Sequence, residues 1–290
     1  MQARAKDADI PKRDVGWHWV FGKLLLVFQM PKTGSQTVEA SLEQCSLPHR
    51  ILRCHFLSAR RRAELRQVLR SPNHQSAWKD QLGEQLNLMA RISMVLRLRN
   101  LLRLCHINLP KLEIITAVRE PISLGLSSIF QNHLYFVPRP EELTLELCSE
   151  VLQRPKMFTS LDNWFDFELK PLTGIDVYNT PFRFENGCAI YENSRARVLL
   201  YRFEDIQNLK GMIAGFLGCC PQSIVAKNLS QAKCYSARYE HARQHLRLPH
   251  EFVLRRYMSK LACHFYSPHE LAEFVRRWTV REAALRPDAK

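Results

Sequence analysis

Short continuous runs of apolar residues alternate along the chain with segments in which apolar residues recur at helical spacing. Continuous runs occupy Lys23–Phe28, Leu112–Val118 and residues 197–201, and a shorter run occupies residues 51–55. Runs of this length with many β-branched residues are typical of strands buried on both faces of a parallel sheet. Each of these runs is therefore predicted to form a strand.

Helical spacing appears in the segments between these strands. Val38, Leu42 and Cys45 recur at i, i+4 and i+7 directly after the first strand, which predicts an amphipathic helix there. Residues 58–70 and 80–104 predict two arginine-rich helices. Further helices are predicted at residues 121–136 and 140–154, after an N-terminal cap at Asp205, and after a capping box that begins at Ser267.

This alternation of strands and helices predicts an α/β fold, a three-layer sandwich with a central, mostly parallel sheet. The polar residues 1–16 predict a flexible N-terminal arm. No linker rich in Pro, Gly or Ser follows, so residues 17–290 are predicted to form a single domain.

The charge of the chain favours anionic partners. Its 290 residues include 42 Lys and Arg against 28 Asp and Glu, a formal net charge of +14. Such a balance fits nucleic acid, an anionic membrane surface, or a phosphorylated or sulfated ligand. The longest apolar run, residues 24–28, is too short to span a bilayer, and no signal peptide is recognisable. A cytoplasmic location is expected, although a luminal domain separated from its anchor has the same features.

The segment PKTGSQT at residues 31–37 lies between a predicted strand and a predicted helix. The first amides of a helix lack intrahelical acceptors and point outward at the positive end of the helix dipole, so an anion binds there. Lys32 adds a positive charge, Gly34 permits close approach of the backbone, and the hydroxyl groups of Ser35 and Thr37 are further donors. The alternative is an ordinary turn with a solvated lysine.

This loop differs from a Walker A motif, G-x-x-x-x-G-K-[ST]. Gln29 stands at the first glycine position, and Lys32 precedes Gly34 instead of following it. The loop is therefore less suited to wrapping a triphosphate with magnesium.

A second candidate anion site follows the strand at Leu112–Val118. Arg119 ends that strand, and Ser127 lies less than two turns into the helix that Pro121 is expected to begin. The arginine fork and the hydroxyl can together hold an anionic group, with Ser128 as an alternative to Ser127. The alternative for Arg119 is a surface ion pair.

The two motifs resemble those of P-loop-type sulfotransferases that use 3′-phosphoadenosine 5′-phosphosulfate (PAPS), especially the carbohydrate branch. Leu124 departs from the family pattern, which has an arginine there, and Gln36 departs mildly. The resemblance implies a sulfotransferase-like fold, and it implies that Arg119 and Ser127 bind the 3′-phosphate. It also implies that the nucleotide is held by Lys32, Thr33, Gly34, Ser35, Gln36 and Thr37 and by a late segment with Lys233, Tyr235 and Tyr239.

Three later segments resemble a bacterial sulfotransferase-like group of capsular polysaccharide synthesis proteins. They lie at residues 161–178, 200–205 and 264–271, so the resemblance extends from about residue 20 to 280. It implies a carbohydrate or polysaccharide acceptor, including an anionic one.

Transfer to a hydroxyl group requires a general base. His55 is the candidate, because it ends a predicted strand and the carboxyl ends of parallel strands flank the ligand crevice. Carbohydrate 2-O-sulfotransferases have a catalytic histidine in the comparable region after the phosphate loop, and His55 resembles this histidine. Glu168 and Asp166 are the alternatives.

The resulting hypothesis is a PAPS-dependent sulfotransferase that acts on a carbohydrate hydroxyl without a metal, with Lys32 and His55 as catalytic residues. The alternatives are a P-loop kinase-like phosphotransferase and a non-catalytic protein that binds polyanions. The arginine-rich helices are expected either to line a groove for an anionic glycan or to be solvated. Trp164 and Phe165 are expected either to stack on a ring of the ligands or to lie in the core.

Overall fold

The computed structural model describes residues 17–70, 76–154, 157–225, 227 and 233–279. The predicted N-terminal arm, residues 1–16, lies outside the described residues.

The central sheet has five strands in the described part of the chain, in the order β2-β1-β3-β5-β4. Strands β2, β1, β3 and β5 run parallel, and β4 is antiparallel to β5. The strands are β1 Lys23–Phe28, β2 His49–Cys54, β3 Leu112–Val118, β4 Cys188–Glu192 and β5 Ala196–Arg202.

Helices cover both faces of this sheet. On one face, Leu25 and Val27 pack with Val38 of the first helix after β1, whereas Leu24 and Leu26 face the opposite core. A further apolar cluster joins helices at the carboxyl end of the chain. The helices are α1 Trp17–Phe21, α2 Ser35–Leu42, α3 Ala59–Arg70, α4 Ser76–Leu104, α5 Pro121–Gln131, α6 Leu145–Gln153, α7 Thr159–Asp162, α8 Lys170–Thr173, α9 Leu209–Leu217, α10 Ser236–His245, α11 His250–Tyr257, α12 Lys260–Phe265 and α13 Pro268–Trp278.

The structure confirms the α/β class, the mostly parallel sheet and the four predicted strands, and it corrects several details. Strand β4 was not predicted; it is a five-residue edge strand, and most of its residues are only partly buried or exposed. The predicted cap at Asp205 is wrong: its carboxylate pairs with Arg202 at 2.6 Å, and α9 begins only at Leu209. The capping box at Ser267 and Glu270 is confirmed.

The topology places three predicted site segments at one edge. The carboxyl ends of β1, β2 and β3 lead into the Lys32 loop, His55 and Arg119. Strand β1 has β2 on one side and β3 on the other, so the direction in which successive strands are added to the sheet reverses at β1. A crevice forms at such a switch point in open α/β sheets.

Candidate functional site

The loop between β1 and α2 has an unusual backbone. Lys32 has a φ of 71° and Gly34 a φ of 82°, and the helical residues of α2 follow directly. A left-handed residue before right-handed ones turns successive amides toward a common point, which is a backbone anion nest. The left-handed conformation costs a non-glycine residue about 1–2 kcal/mol. At Lys32 it is held by Arg119, whose Nη1 donates to the Lys32 carbonyl at 2.8 Å.

Gly34 is required by close packing as well as by its φ. A Cβ atom at this position would lie 2.9 Å from Ile206 Cδ1 and 3.2 Å from the ring of Phe203. The sequence predicts that a glycine is needed here so that the backbone can approach a ligand. The structure gives a different reason, which is the close contact of Gly34 with Ile206 and Phe203. The nest is fixed by the segment that follows β5.

A buried polar network fixes the other side of the loop. Thr33 is fully buried and its hydroxyl donates to the Met30 carbonyl at 2.7 Å, while the Tyr201 hydroxyl donates to the Thr33 carbonyl at 3.2 Å. The Gln29 Nε2 donates to the Tyr201 hydroxyl at 3.4 Å. The Thr33 hydroxyl thus serves the loop itself, which leaves its backbone amide as its contribution to a ligand site.

The start of α2 presents free donors. The first helical bond runs from the Val38 amide to the Gly34 carbonyl at 3.1 Å, and Gly34 supplies no side-chain cap. Within the described ranges, the amides of Ser35, Gln36 and Thr37 have no acceptor. These amides lie at the positive end of the α2 dipole.

The side chains of these three residues differ in availability. Ser35 is buried and its hydroxyl has no partner in the described part of the chain, whereas Gln36 is exposed. Thr37 Oγ1 lies 3.3 Å from both the amide and the carbonyl of Lys227. The Thr37 hydroxyl, predicted as a ligand donor, therefore contacts the backbone of Lys227.

Positive charge converges on this loop. Burial, together with the weaker effect of repulsion by Lys233 and Arg119, lowers the pKa of Lys32 to about 8. The Lys32 ammonium donates to the side-chain oxygen of Gln131 on α5. Among the residues that the structure describes, no carboxylate forms an ion pair with any of these three cations. The buried Glu204 carboxylate is near enough to Arg119 for the arginine to oppose the rise that burial causes in its pKa, and three cations against this one acid leave a positive cluster that attracts an anion.

Arg119 faces the loop. Its Nη2 donates to the Tyr239 hydroxyl at 3.3 Å, and its guanidinium lies 4.3 Å from the centre of the Phe203 ring. Its Nε is buried without a hydrogen-bond partner in the described ranges. With bonds only to the Lys32 carbonyl and Tyr239, most of the five N–H groups of this guanidinium remain available.

Helix α5 and the segment before α10 border the same cluster. Ser127 is half-buried and lies one turn before Gln131, so both occupy one face of α5, and Gln131 contacts Lys32. Tyr235 is buried with its ring 5.8 Å from that of Phe130, and Lys233 lies 5.9 Å from the Tyr235 ring. The structure thus brings Lys233 and Tyr235 to the predicted loop.

His55 directly follows β2, and its protonation state can be assigned. Its Nδ1 lies 2.8 Å from the Gln29 carbonyl, which can only accept, so Nδ1 carries the hydrogen. Burial lowers the pKa of His55, and Arg53 and Lys32 lower it further, against the effect of the Gln29 bond. The ring is therefore neutral at pH 7, with a lone pair on Nε2 that has no partner in the described part of the chain.

The alternative bases are engaged elsewhere. Glu168 accepts from the amides of Leu57 and Ser58, just before α3, at 2.7 and 2.8 Å. Asp166 pairs with Lys260 at 3.0 Å. Trp164 and Phe165 are buried in the core, and the Trp164 indole donates to the His55 carbonyl at 2.9 Å. Glu168 and Trp164 thus hold the segment that carries His55.

The described residues offer neither a cluster of metal ligands nor a membrane-spanning helix. Within the described residues, no group of three or more His, Cys, Asp and Glu side chains is placed to hold a metal ion. Nor does any helix among those residues have the length and apolar character that crossing a bilayer demands.

Comparison with known proteins gives one match. No curated protein and no solved structure matches the chain. A family model described as "NKWYS: Putative capsular polysaccharide synthesis protein" matches residues 141–267. The matched region contains Lys233 and Tyr235, whereas the Lys32 loop, His55 and Arg119 precede it. Over residues 141–267 the chain is therefore similar to a family named for capsular polysaccharide synthesis.

Proposed function

We propose that this protein is a sulfotransferase of polysaccharide biosynthesis that uses PAPS as donor and a carbohydrate hydroxyl as acceptor. The observation that carries the proposal is the convergence of Lys32, Arg119 and Lys233 on the free amides at the start of α2. The family match at residues 141–267 supports a role in polysaccharide synthesis.

The residues present fit a nucleotide with phosphate groups at both ends. The amides of Ser35, Gln36 and Thr37, together with Lys32, fit the 5′-phosphosulfate. Arg119 fits the 3′-phosphate, because its guanidinium retains N–H groups and its Nε is buried without a partner in the described ranges. Ser127, on the face of α5 that contacts Lys32, is placed to add a hydroxyl donor.

When bound, PAPS supplies the sulfuryl group to be transferred. Negative charge develops on the leaving side of such a transfer, and fixed cations and helix amides stabilise it. Lys32 is protonated at pH 7, since its pKa is about 8. The same lysine therefore contributes both to nucleotide binding and to stabilisation of the developing charge.

His55 acts as the general base toward the acceptor. Its Nε2 lone pair takes the proton of the attacking hydroxyl, while the bond from Nδ1 to the Gln29 carbonyl keeps the ring in the required tautomer. Lys32 and Arg53 disfavour the imidazolium, which keeps the base neutral before reaction.

The first test compares nucleotides by thermal unfolding. Adenosine 3′,5′-bisphosphate without metal is expected to raise Tm by about 5 °C at roughly 100 times its Kd, because a ligand that binds only the folded state stabilises it. AMP and ADP are expected to give much smaller shifts. A larger shift with ATP and magnesium would contradict the proposal and favour a kinase-like phosphotransferase.

The pKa of Lys32 predicts how nucleotide binding depends on pH. Above about pH 8 the ammonium loses its proton in the free protein, so affinity for adenosine 3′,5′-bisphosphate is expected to fall between pH 7.5 and 9.5, by at most about tenfold per pH unit. In the Lys32→Arg variant the guanidinium stays charged, and titration calorimetry should show an affinity that is flat over this range. Equal pH dependence of the affinity in both proteins would show that Lys32 is not part of the nucleotide site.

A further inference from the structure

A groove of about 510 Å³ lies between α3 and α4. Arg62 and Arg66 line it from α3, and Arg97 lines it from α4. Arg62 and Arg66 are four residues apart and so share one face of α3, about 6 Å apart along its axis. The aliphatic side chains of Met94, Leu98 and Leu101 also line the groove.

The charges of the three arginines are only partly offset: the Glu168 carboxylate acts on Arg62 from a distance and opposes the lowering of its pKa. In the part of the chain that the structure describes, none of them forms an ion pair with a carboxylate. The nearby Glu64 is taken by Arg60 and Arg61, at 3.2 and 2.8 Å. Arg62 donates to the Ser93 hydroxyl, and burial together with repulsion from Arg97 and Arg66 lowers its pKa. The arginines are close enough to repel one another, and an anion between them would relieve this repulsion.

The groove begins near the candidate base. The Arg62 amide bonds to the Ser58 carbonyl at 3.1 Å, so Arg62 lies one helical turn after Ser58. His55 precedes Ser58 by three residues, which limits their Cα separation to about 11 Å. A polymer whose hydroxyl reaches His55 can therefore extend into the groove.

We propose that this groove binds the anionic groups of an acidic polysaccharide, which is the acceptor of the transfer. This inference rests on the proposed function, and it narrows the acceptor class from any carbohydrate to an anionic polymer. Guanidinium groups bind carboxylate and sulfate through paired N–H groups. Among the described residues that line the groove none is aromatic, which disfavours single-stranded nucleic acid.

The experiment measures binding of a fluorescent heparin oligosaccharide to the full chain at fixed salt. Arg66 and Arg97 are both exposed, so the R66E/R97E variant is expected to fold, and R66Q/R97Q provides a milder change. The matched control, R255E/R276E, changes the net charge equally at exposed arginines outside the groove. Affinity is expected to fall at least tenfold in R66E/R97E, less in R66Q/R97Q, and under threefold in the control.

Competition and nucleotide binding separate the remaining outcomes. Neutral dextran should not compete, and poly-L-glutamate and phosphatidylserine vesicles should compete more weakly than heparin. An equal loss in the control variant, or stronger competition by the peptide or vesicles, would overturn the proposal. Adenosine 3′,5′-bisphosphate should bind the groove variants as it binds the unaltered protein. If the unaltered protein binds no nucleotide, the proposed function fails. The heparin measurements still show whether the groove binds an acidic polysaccharide.

Discussion

The His55→Asn variant is expected to lose turnover by about 10²- to 10⁴-fold, the usual contribution of a positioned general base. The asparagine amide can replace Nδ1–H as donor to the Gln29 carbonyl, so the loop keeps its support. It offers nothing in place of Nε2. The measurement is the transfer of radiolabelled sulfate from PAPS to an acidic polysaccharide, with the affinity for adenosine 3′,5′-bisphosphate measured beside it.

Two controls make this result specific. The His269→Gln variant alters a histidine that is 80% exposed on α13 and should retain full activity. The rate of the unaltered protein should decline only below the ordinary histidine pKa of 6.5, since His55 titrates lower than that. The His55→Asn variant should lack this acid limb. Turnover within threefold of the unaltered protein, or an unchanged acid limb, would remove His55 from the role of base.

The strands and the loop could be predicted because their determinants are local. Strand β1 is an apolar run followed six residues later by Gly34, and β3 is an apolar run followed directly by Arg119. These features are close together in the sequence, and the parallel sheet then brings them to one edge. By contrast, β4 is an edge strand with mixed exposure, so its pattern is too weak to recognise.

The supports of the site could not be predicted, because they are contacts between distant residues. Gln131 reaches Lys32 across 99 positions, and Tyr201 reaches the Thr33 carbonyl across 168. A glutamine in a helix and a tyrosine in a strand carry no local indication of such partners.

Residue type alone does not show which partners a side chain has. Glu168 has the chemistry of a base, but its carboxylate is occupied by the amides of Leu57 and Ser58. Thr37 has a hydroxyl at the start of α2, but Lys227 occupies it. Whether a polar group is available to a ligand depends on which partners the fold provides.

Removal of the Arg119 guanidinium is expected to abolish recognition of the 3′-phosphate. A paired contact to a charged group contributes about 1.5–3 kcal/mol per hydrogen bond, so the Arg119→Ala variant should bind adenosine 3′,5′-bisphosphate about 100-fold more weakly. Arg119 also supports the Lys32 carbonyl, so damage to the loop must be measured separately. AMP serves this purpose, because it engages the loop without a 3′-phosphate.

The matched control is Arg53→Ala. Arg53 is another arginine at the carboxyl end of a strand, and it pairs with Glu39 at 2.6 Å instead of facing the loop. This variant should bind both nucleotides within threefold of the unaltered protein. A 100-fold loss of affinity in Arg53→Ala would show that the loss in Arg119→Ala comes from the change in net charge.

The ratio of the two dissociation constants, AMP over adenosine 3′,5′-bisphosphate, tests most directly whether the Lys32 loop and Arg119 hold opposite ends of one nucleotide. Titration calorimetry should give a ratio of about 100 for the unaltered protein and near 1 for Arg119→Ala, with the AMP affinity changed less than threefold. A ratio near 1 in the unaltered protein, or an equal loss of affinity for both nucleotides in the variant, would contradict this arrangement.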